Sequence, residues 1–318
     1  MRHGRRLTRV GLRLIAIAAL LIVIAGCSSL RKQPVGIFDT KDQAAEYAEF
    51  GNRYFRQGNY SQALSFFELA FKENAAVDNL EGIVSSYNSL GKVYLATGYP
   101  GTAEKNFQSA YEIALRISNS RLILQSTTHL GEVSLRQGNI DTAMAFFDEA
   151  LKQRDDTSLP ADLAILYHNI GTAHSRMEEY DLAERFIRDA VAINADEELI
   201  SELATNHYML ASILSRQGRL DEAETEAATA LEYDKQMENS VGIYADLKAL
   251  GLIKIRRGDL EAAYDFMERA LRVSAAVGLV PEARSALEEL IKISDTLGRE
   301  TDTERFRAQL DGLAPPAE

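Results

Sequence analysis

Six glycines stand 40 residues apart in this chain: Gly58, Gly98, Gly138, Gly218, Gly258 and Gly298, with Glu178 on the one unfilled beat. A second series leads the first by seven residues: Gly51, Gly91, Gly131, Gly171 and Gly251, with Ala211 on its unfilled beat. A fixed period of this size marks a chain built by stacking one supersecondary unit, because each unit has an apolar face that only its neighbour can cover. The length of 318 residues would otherwise suggest about two domains. The period replaces that expectation with one continuous core that grows unit by unit.

Between the glycines the apolar residues keep helical spacing. Tyr47, Gly51 and Tyr54 fall at i, i+4, i+7, one face of a helix that Gly58 ends. Ala63, Phe67 and Ala70 repeat that spacing, so a second helix runs back. The next unit reads Tyr87, Gly91, Tyr94, Gly98, Ala103, Phe107, Ala110, and the third Leu130, Gly131, Gly138, Ala143, Phe147, Ala150. The fourth has Tyr167, Gly171, Tyr180, Ala183, Ile187, Ala190; the fifth Leu210, Ala211, Gly218, Ala223, Ala227, Ala230; the sixth Leu250, Gly251, Gly258, Ala263, Met267, Ala270. A seventh is degenerate (Leu287, Leu290, Gly298, Phe306, Leu310), and its polar second helix suits a solenoid end facing water. The small positions let two helices approach, and the large ones fill the space between pairs. Asp141, Asp181, Asp221 and Glu261 follow the turn, where they favour the dipole of the second helix. Pro100, Pro160 and Pro281 fall where helices should start.

This pattern resembles the tetratricopeptide repeat over residues 42–311. It implies an all-α fold, an α-α superhelix of six to seven helix pairs, with units near 44–83, 84–123, 124–163, 164–203, 204–243, 244–283 and a cap at 284–311. Two departures stand out: no tryptophan occupies the position of Tyr47, Tyr87 and Tyr167, and the period is 40 rather than 34. The six extra residues are expected to lengthen the helices by close to two turns per pair. That resembles the longer-helix branch found in cell-polarity adaptors and kinesin light chains.

In that family the first helices of each pair line a concave groove that takes extended or helical peptides. The resemblance places Asn52, Asn88, Lys92, Thr128, Glu132, His168, Thr172, Tyr208, Ser212 and Lys248 there. It lacks the Lys/Arg and Asn set that clamps a terminal carboxylate in chaperone-binding members, so that activity is not expected. Arg56, Arg136, Arg176, Arg216 and Arg256 share one position in five units. They read either as a ladder gripping acidic or carbonyl groups of a peptide or as cations favouring the ends of their own helices.

At the amino terminus Leu14 to Ala25 is an apolar run of 12 residues behind Arg2, Arg5, Arg6, Arg9 and Arg13. It fits a secretory signal and is short of the ~20 residues of a membrane-spanning helix. Ile24, Ala25, Gly26 and Cys27 follow, then Ser28. This resembles the lipobox of bacterial lipoproteins, which implies a signal peptide over 1–26, acylation of Cys27 and a lipidated tether over 27–41. Serine rather than aspartate after the cysteine implies the outer membrane, on its periplasmic side. Cys27 is the only cysteine, so packing without disulfides is expected to hold the exported domain. Residues 312–318 are expected to be a disordered tail.

The net charge is −12, and loss of the arginine-rich segment would make the chain more acidic still. Phosphate backbones repel such a protein, so nucleic acid is not expected as a partner. No metal spacing, phosphate loop, nucleophile elbow or zinc-hydrolase motif is present. No cofactor or catalysis is expected. The leading function class is a non-enzymatic scaffold or adaptor for protein partners of the cell envelope; the others are a small-ligand-binding accessory of a transport system and a degenerate hydrolase, for which no acidic residue stands out. A pilotin-like factor for pilus or secretin assembly is a further version of the first.

Overall fold

The 40-residue period resolves into two equal halves. The computed structural model describes residues 37–154 and 159–313. Fourteen α-helices follow one another there, with no strand among the described residues. They are α1 (Ile37–Arg56), α2 (Tyr60–Ala76), α3 (Leu80–Ala96), α4 (Pro100–Arg116), α5 (Ser120–Arg136), α6 (Ile140–Lys152) and α7 (Pro160–Arg176). The second half holds α8 (Tyr180–Asp196), α9 (Ile200–Arg216), α10 (Leu220–Gln236), α11 (Ser240–Arg257), α12 (Leu260–Ala276), α13 (Val280–Thr296) and α14 (Glu300–Gly312).

Most helices have 17 residues, about 25 Å at 1.5 Å per residue. Odd-numbered helices open each pair and even-numbered ones close it. The pairs therefore begin near residues 80, 120, 160, 200, 240 and 280, about four residues before the boundaries the sequence suggested. The first helix begins at Ile37, inside the stretch expected as tether. Asp39 in its first turn favours the helix dipole. The signal-like segment, Cys27 and residues 314–318 lie outside the described residues.

The two glycine series have different physical causes. Gly58, Gly98, Gly138, Gly218, Gly258 and Gly298 adopt φ between 69° and 84°, and a Cβ added to any of them would meet nothing within 4 Å. These glycines supply left-handed backbone, not room. Each follows a helix in a Schellman arrangement, with Asn59 N–H donating to the Tyr54 carbonyl at 2.9 Å and Tyr99 N–H to that of Tyr94 at 2.8 Å. The second series supplies room. A Cβ on Gly51, Gly91 or Gly131 would lie 2.5, 2.4 or 2.3 Å from the ring of Phe67, Phe107 or Phe147. At Gly171 and Gly251 the same place is taken by Ile187 and Met267. In the fifth unit both partners change together. Ala211 replaces glycine, and the opposing residue shrinks to Ala227; both are buried.

The left-handed beat also falls midway between the glycines. Asp78, Ser118, Glu198 and Glu238 have φ of 52–55°, and Gly278 of 73°. Among the described residues the same turn thus recurs at 20-residue steps, between pairs as well as within them; residues 155–158, between α6 and α7, lie outside them. A side chain in that conformation costs ~1–2 kcal/mol.

The core is a ribbon of buried seams, with Ala63, Ala103, Ala143, Ala183, Ala223 and Ala263 wholly inaccessible. First helices of consecutive units touch one another from α1 to α11, while second helices pack chiefly against their sequence neighbours. Elements that crowd together lie on the inside of a curve, so the first helices line the concave face.

A double-mutant cycle tests the glycine–ring contact. Gly131→Ala is expected to cost about 1–3 kcal/mol by overpacking, and most of that cost should vanish in a Phe147→Ala background, as read by urea denaturation. Glu178 carries φ of 63°; Glu178→Gly is expected to raise stability by about 1 kcal/mol, measured the same way.

Candidate binding groove

The concave face is built from first helices tied side by side. Asn88 Nδ2 (α3) donates to Ser126 Oγ (α5) at 3.2 Å, and Gln125 Nε2 (α5) to Asp162 Oδ2 (α7) at 2.8 Å. His168 Nδ1 (α7) meets Asn206 Oδ1 (α9) at 2.6 Å. Tyr244 Oη (α11) donates to the Glu282 carbonyl at 2.9 Å, and Lys248 Nζ to Ser285 Oγ (α13) at 2.7 Å. These bonds are spaced 37 or 38 residues apart in sequence, so each fixes the register of one unit on the next. Asn88, His168 and Lys248 act as rungs between neighbouring first helices.

The centre of the groove carries mixed charge. Burial lowers the Lys92 ammonium below its ordinary value, against the pull of Asp162 and Glu132. Burial raises Asp162 despite the Gln125 hydrogen bond. Burial also pushes Glu132 up, but hydrogen bonding and charge from His129 and Arg136 outweigh it, and Glu132 sits below the usual range. His168 is lowered by burial, which favours its neutral form at pH 7. Asn52 lines a recess of about 280 Å³ between the first and second units.

The arginine series divides. Arg176 Nη1 donates to the Leu135 carbonyl and Arg256 Nη1 to that of Ser215, with a second bond to Ser215 Oγ at 2.9 Å. Each therefore caps the end of the preceding unit's first helix, not its own. Arg136 pairs with Glu132 of its own helix at 3.0 Å. Arg56 is exposed. Arg216 makes no hydrogen bond or ion pair among the described residues and lines a cleft.

That cleft, of about 620 Å³, lies between α9 and α11. It brings together Tyr208, Ser212, Arg216, Lys248 and Arg256, which the sequence placed separately along the groove. Tyr208 and Leu252 at its wall are 38% and 40% exposed, so the cleft opens on the groove and is not a closed cavity.

Family models of the tetratricopeptide repeat match residues 122–196, and residues 84–116 and 204–237. The chain is a tetratricopeptide repeat protein. Tetratricopeptide repeats are in general non-catalytic interaction modules. Among solved structures it is similar to BtubC from P. vanneervenii, at 19% identity over 69% of this chain and 93% of that one, with a TM-score of 0.57. It is similar also to a Rap protein complexed with Competence and Sporulation Factor (16% identity, 85% and 74% covered, TM-score 0.63). A Rap conjugation gene regulator of plasmid pLS20, in complex with the Phr* peptide, gives 18% identity, 91% and 81% covered and a TM-score of 0.62. At these identities the likeness is one of fold. No curated protein matches the chain in sequence.

Sequence reading missed a buried polar pair at the junctions of these tetratricopeptide units. Asn194 and Asn206, each 2% exposed, occupy it between the fourth and fifth units; Asp234 and Asp246, 5% and 1% exposed, occupy the equivalent places one unit later. Asn239 Nδ2 donates to Asp234 Oδ1 at 2.8 Å, and Gly242 leaves space, since a Cβ there would lie 2.1 Å from Asp234 Oδ2. Neither oxygen of Asp246 has a donor from another residue. Burial, then the neighbouring Asp234 carboxylate, pushes Asp246 up to about 8. A signal was present in the sequence: aspartate recurring at a 40-residue interval from asparagine, on an otherwise apolar face.

The raised value costs stability in a defined window. Below the unfolded pKa of about 4 both states are protonated and nothing is lost. Between there and about 8 the unfolded chain releases a proton that the folded one keeps. Asp246→Asn, which repeats the residue found at Asn206, is expected to leave stability unchanged near the bottom of that window. Its advantage over wild type should then grow by up to about 1.4 kcal/mol per pH unit and level off above the folded value. Urea denaturation of both proteins across the window measures it.

Proposed function

We propose that this tetratricopeptide repeat protein is a non-enzymatic adaptor, held by lipid on Cys27 at the periplasmic face of a bacterial outer membrane, that recruits or assembles protein partners of the cell envelope in its concave groove. The observation that carries the reading is the open cleft between α9 and α11, walled by exposed Tyr208, Arg216, Leu252 and Arg256. A surface continuous with a groove suits a linear segment of a partner; a closed apolar cavity with a few converging polar groups would suit a solute. Two proteins of similar fold are solved in complex with Competence and Sporulation Factor and with the Phr* peptide, which supports the same use here. Among the described residues no group of three or more His, Cys, Asp or Glu side chains could hold a metal ion. The run Ile24-Ala25-Gly26-Cys27 supports the address, and no described helix is long and apolar enough to cross a membrane.

Two variants of the full-length protein test the two halves of the reading. Cys27→Ala is expected to abolish incorporation of a labelled fatty acid and to move the protein out of the membrane fraction. Ser212→Tyr fills the cleft and is expected to cut recovery of cross-linked envelope partners at least tenfold, with the melting curve unchanged. Partner recovery equal to wild type would remove the groove from the mechanism.

A further inference from the structure

The cleft between α9 and α11 inverts the charge of the molecule around it. The chain carries 47 acidic and 35 basic residues, yet the cleft is lined by Arg216, Lys248 and Arg256 and by no aspartate or glutamate. None of the three cations is neutralised by a carboxylate among the described residues. Lys248 bonds a serine hydroxyl, Arg256 a carbonyl and a hydroxyl, and Arg216 nothing. On the other face of α11 the pattern is the reverse. Lys254 pairs with Glu224 at 2.7 Å, and Arg257 with Asp221 at 2.5 Å and Glu224 at 2.6 Å. Asp246, an acid of α11 whose charge would act on Tyr208, is 1% exposed. Burial and Asp234 hold it protonated at neutral pH, so it does not cancel the charge of the cations. Between the cations the surface is apolar, with Ala245, Ala249 and Leu252 beside the face of Tyr208.

Resting on the groove as a protein-binding surface, we infer that this cleft is a receptor for an acidic linear segment of the partner, one that presents two or more carboxylates flanking an apolar side chain. Arg216 and Arg256 stand one unit apart along the groove, so they meet successive acidic positions of a chain laid along it. Lys248 lines the same cleft, and Tyr208 and Leu252 take the apolar residue. Guanidinium groups suit carboxylates because their planar fork makes paired, charge-assisted hydrogen bonds. Nucleic acid, the other polyanion such a patch could attract, meets a net charge of −12 on the rest of the protein.

The test uses detergent-solubilised full-length protein and fluorescently labelled ten-residue peptides of alternating Glu and Leu, Gln and Leu, or Lys and Leu. Fluorescence anisotropy is expected to show the Glu peptide bound at least tenfold more tightly than the Gln peptide, weakening as salt rises, with no binding of the Lys peptide. Arg216→Glu, at a side chain that holds no hydrogen bond or ion pair, is expected to lower affinity for the Glu peptide at least tenfold without changing the melting curve. Lys105→Glu, on the outer helix α4, is expected to match wild type. Equal binding of Glu and Gln peptides, wild-type affinity in Arg216→Glu, or binding of anionic phosphatidylglycerol vesicles in place of the peptide would overturn the proposal. Recovery of native partners separates this failure from that of the groove. If Ser212→Tyr loses them while Arg216→Glu keeps them, the groove stands and the acidic segment does not. If both keep them, both readings fall.

Discussion

In the first three helix pairs a residue with no side chain meets a ring laid against it, and Ile187 and Met267 take the place of the ring in the fourth and sixth. Phe107 lies where a Cβ on Gly91 would be, and the same holds for Phe67 on Gly51 and Phe147 on Gly131. The contact sets how closely two helices of about 25 Å approach, and hence how much apolar area each pair can remove from water. Burial of one such ring contributes ~1.5–3 kcal/mol, and the flanking alanines keep the seam narrow enough for it to close. In the fifth unit small residues take both places, since Ala211 faces Ala227 there, and the pair remains buried.

Curvature follows from this spacing. Because the first helices meet their counterparts and the second helices do not, the concave wall is held by side-chain bonds between units. Those bonds use the polar residues that a ligand would otherwise meet: Asn88, Gln125, His168, Lys248. Much of the wall is thus committed to holding itself. The arginines make the same division. Arg176 and Arg256 satisfy carbonyls left open at the end of a neighbouring helix, whereas Arg216 is left facing the cleft. One sequence position therefore serves two purposes, decided unit by unit.

The helix pairs, their number and the seam were legible in the sequence, because spacing of Gly, Ala and Phe reports directly on packing. The half-period was not. Asp78, Ser118, Glu198 and Glu238 adopt the backbone of the glycines, but only Gly278 marks that beat by its identity. Register was misread by about four residues, since the conserved spacing labels the middle of each helix and says nothing of where it starts. The gathering of Tyr208, Arg216, Lys248 and Arg256 into one cleft depends on rotation between units, which no single helix encodes. The Asp234–Asp246 pair was hidden for a different reason: two acids 12 residues apart in separate helices become neighbours only once the turn between them is built.

The uniform turn has a consequence for how such a chain can change length. Every described link between helices uses the same left-handed step, so turn geometry alone cannot tell an inner helix from an outer one. The glycine–ring seam makes that distinction, because only inner helices carry the bare position. Loss of a single 20-residue segment would leave each remaining link sound while exchanging inside for outside in everything downstream. Growth or deletion without such inversion proceeds only by whole pairs, and the ruler of 40 is the trace left by that constraint.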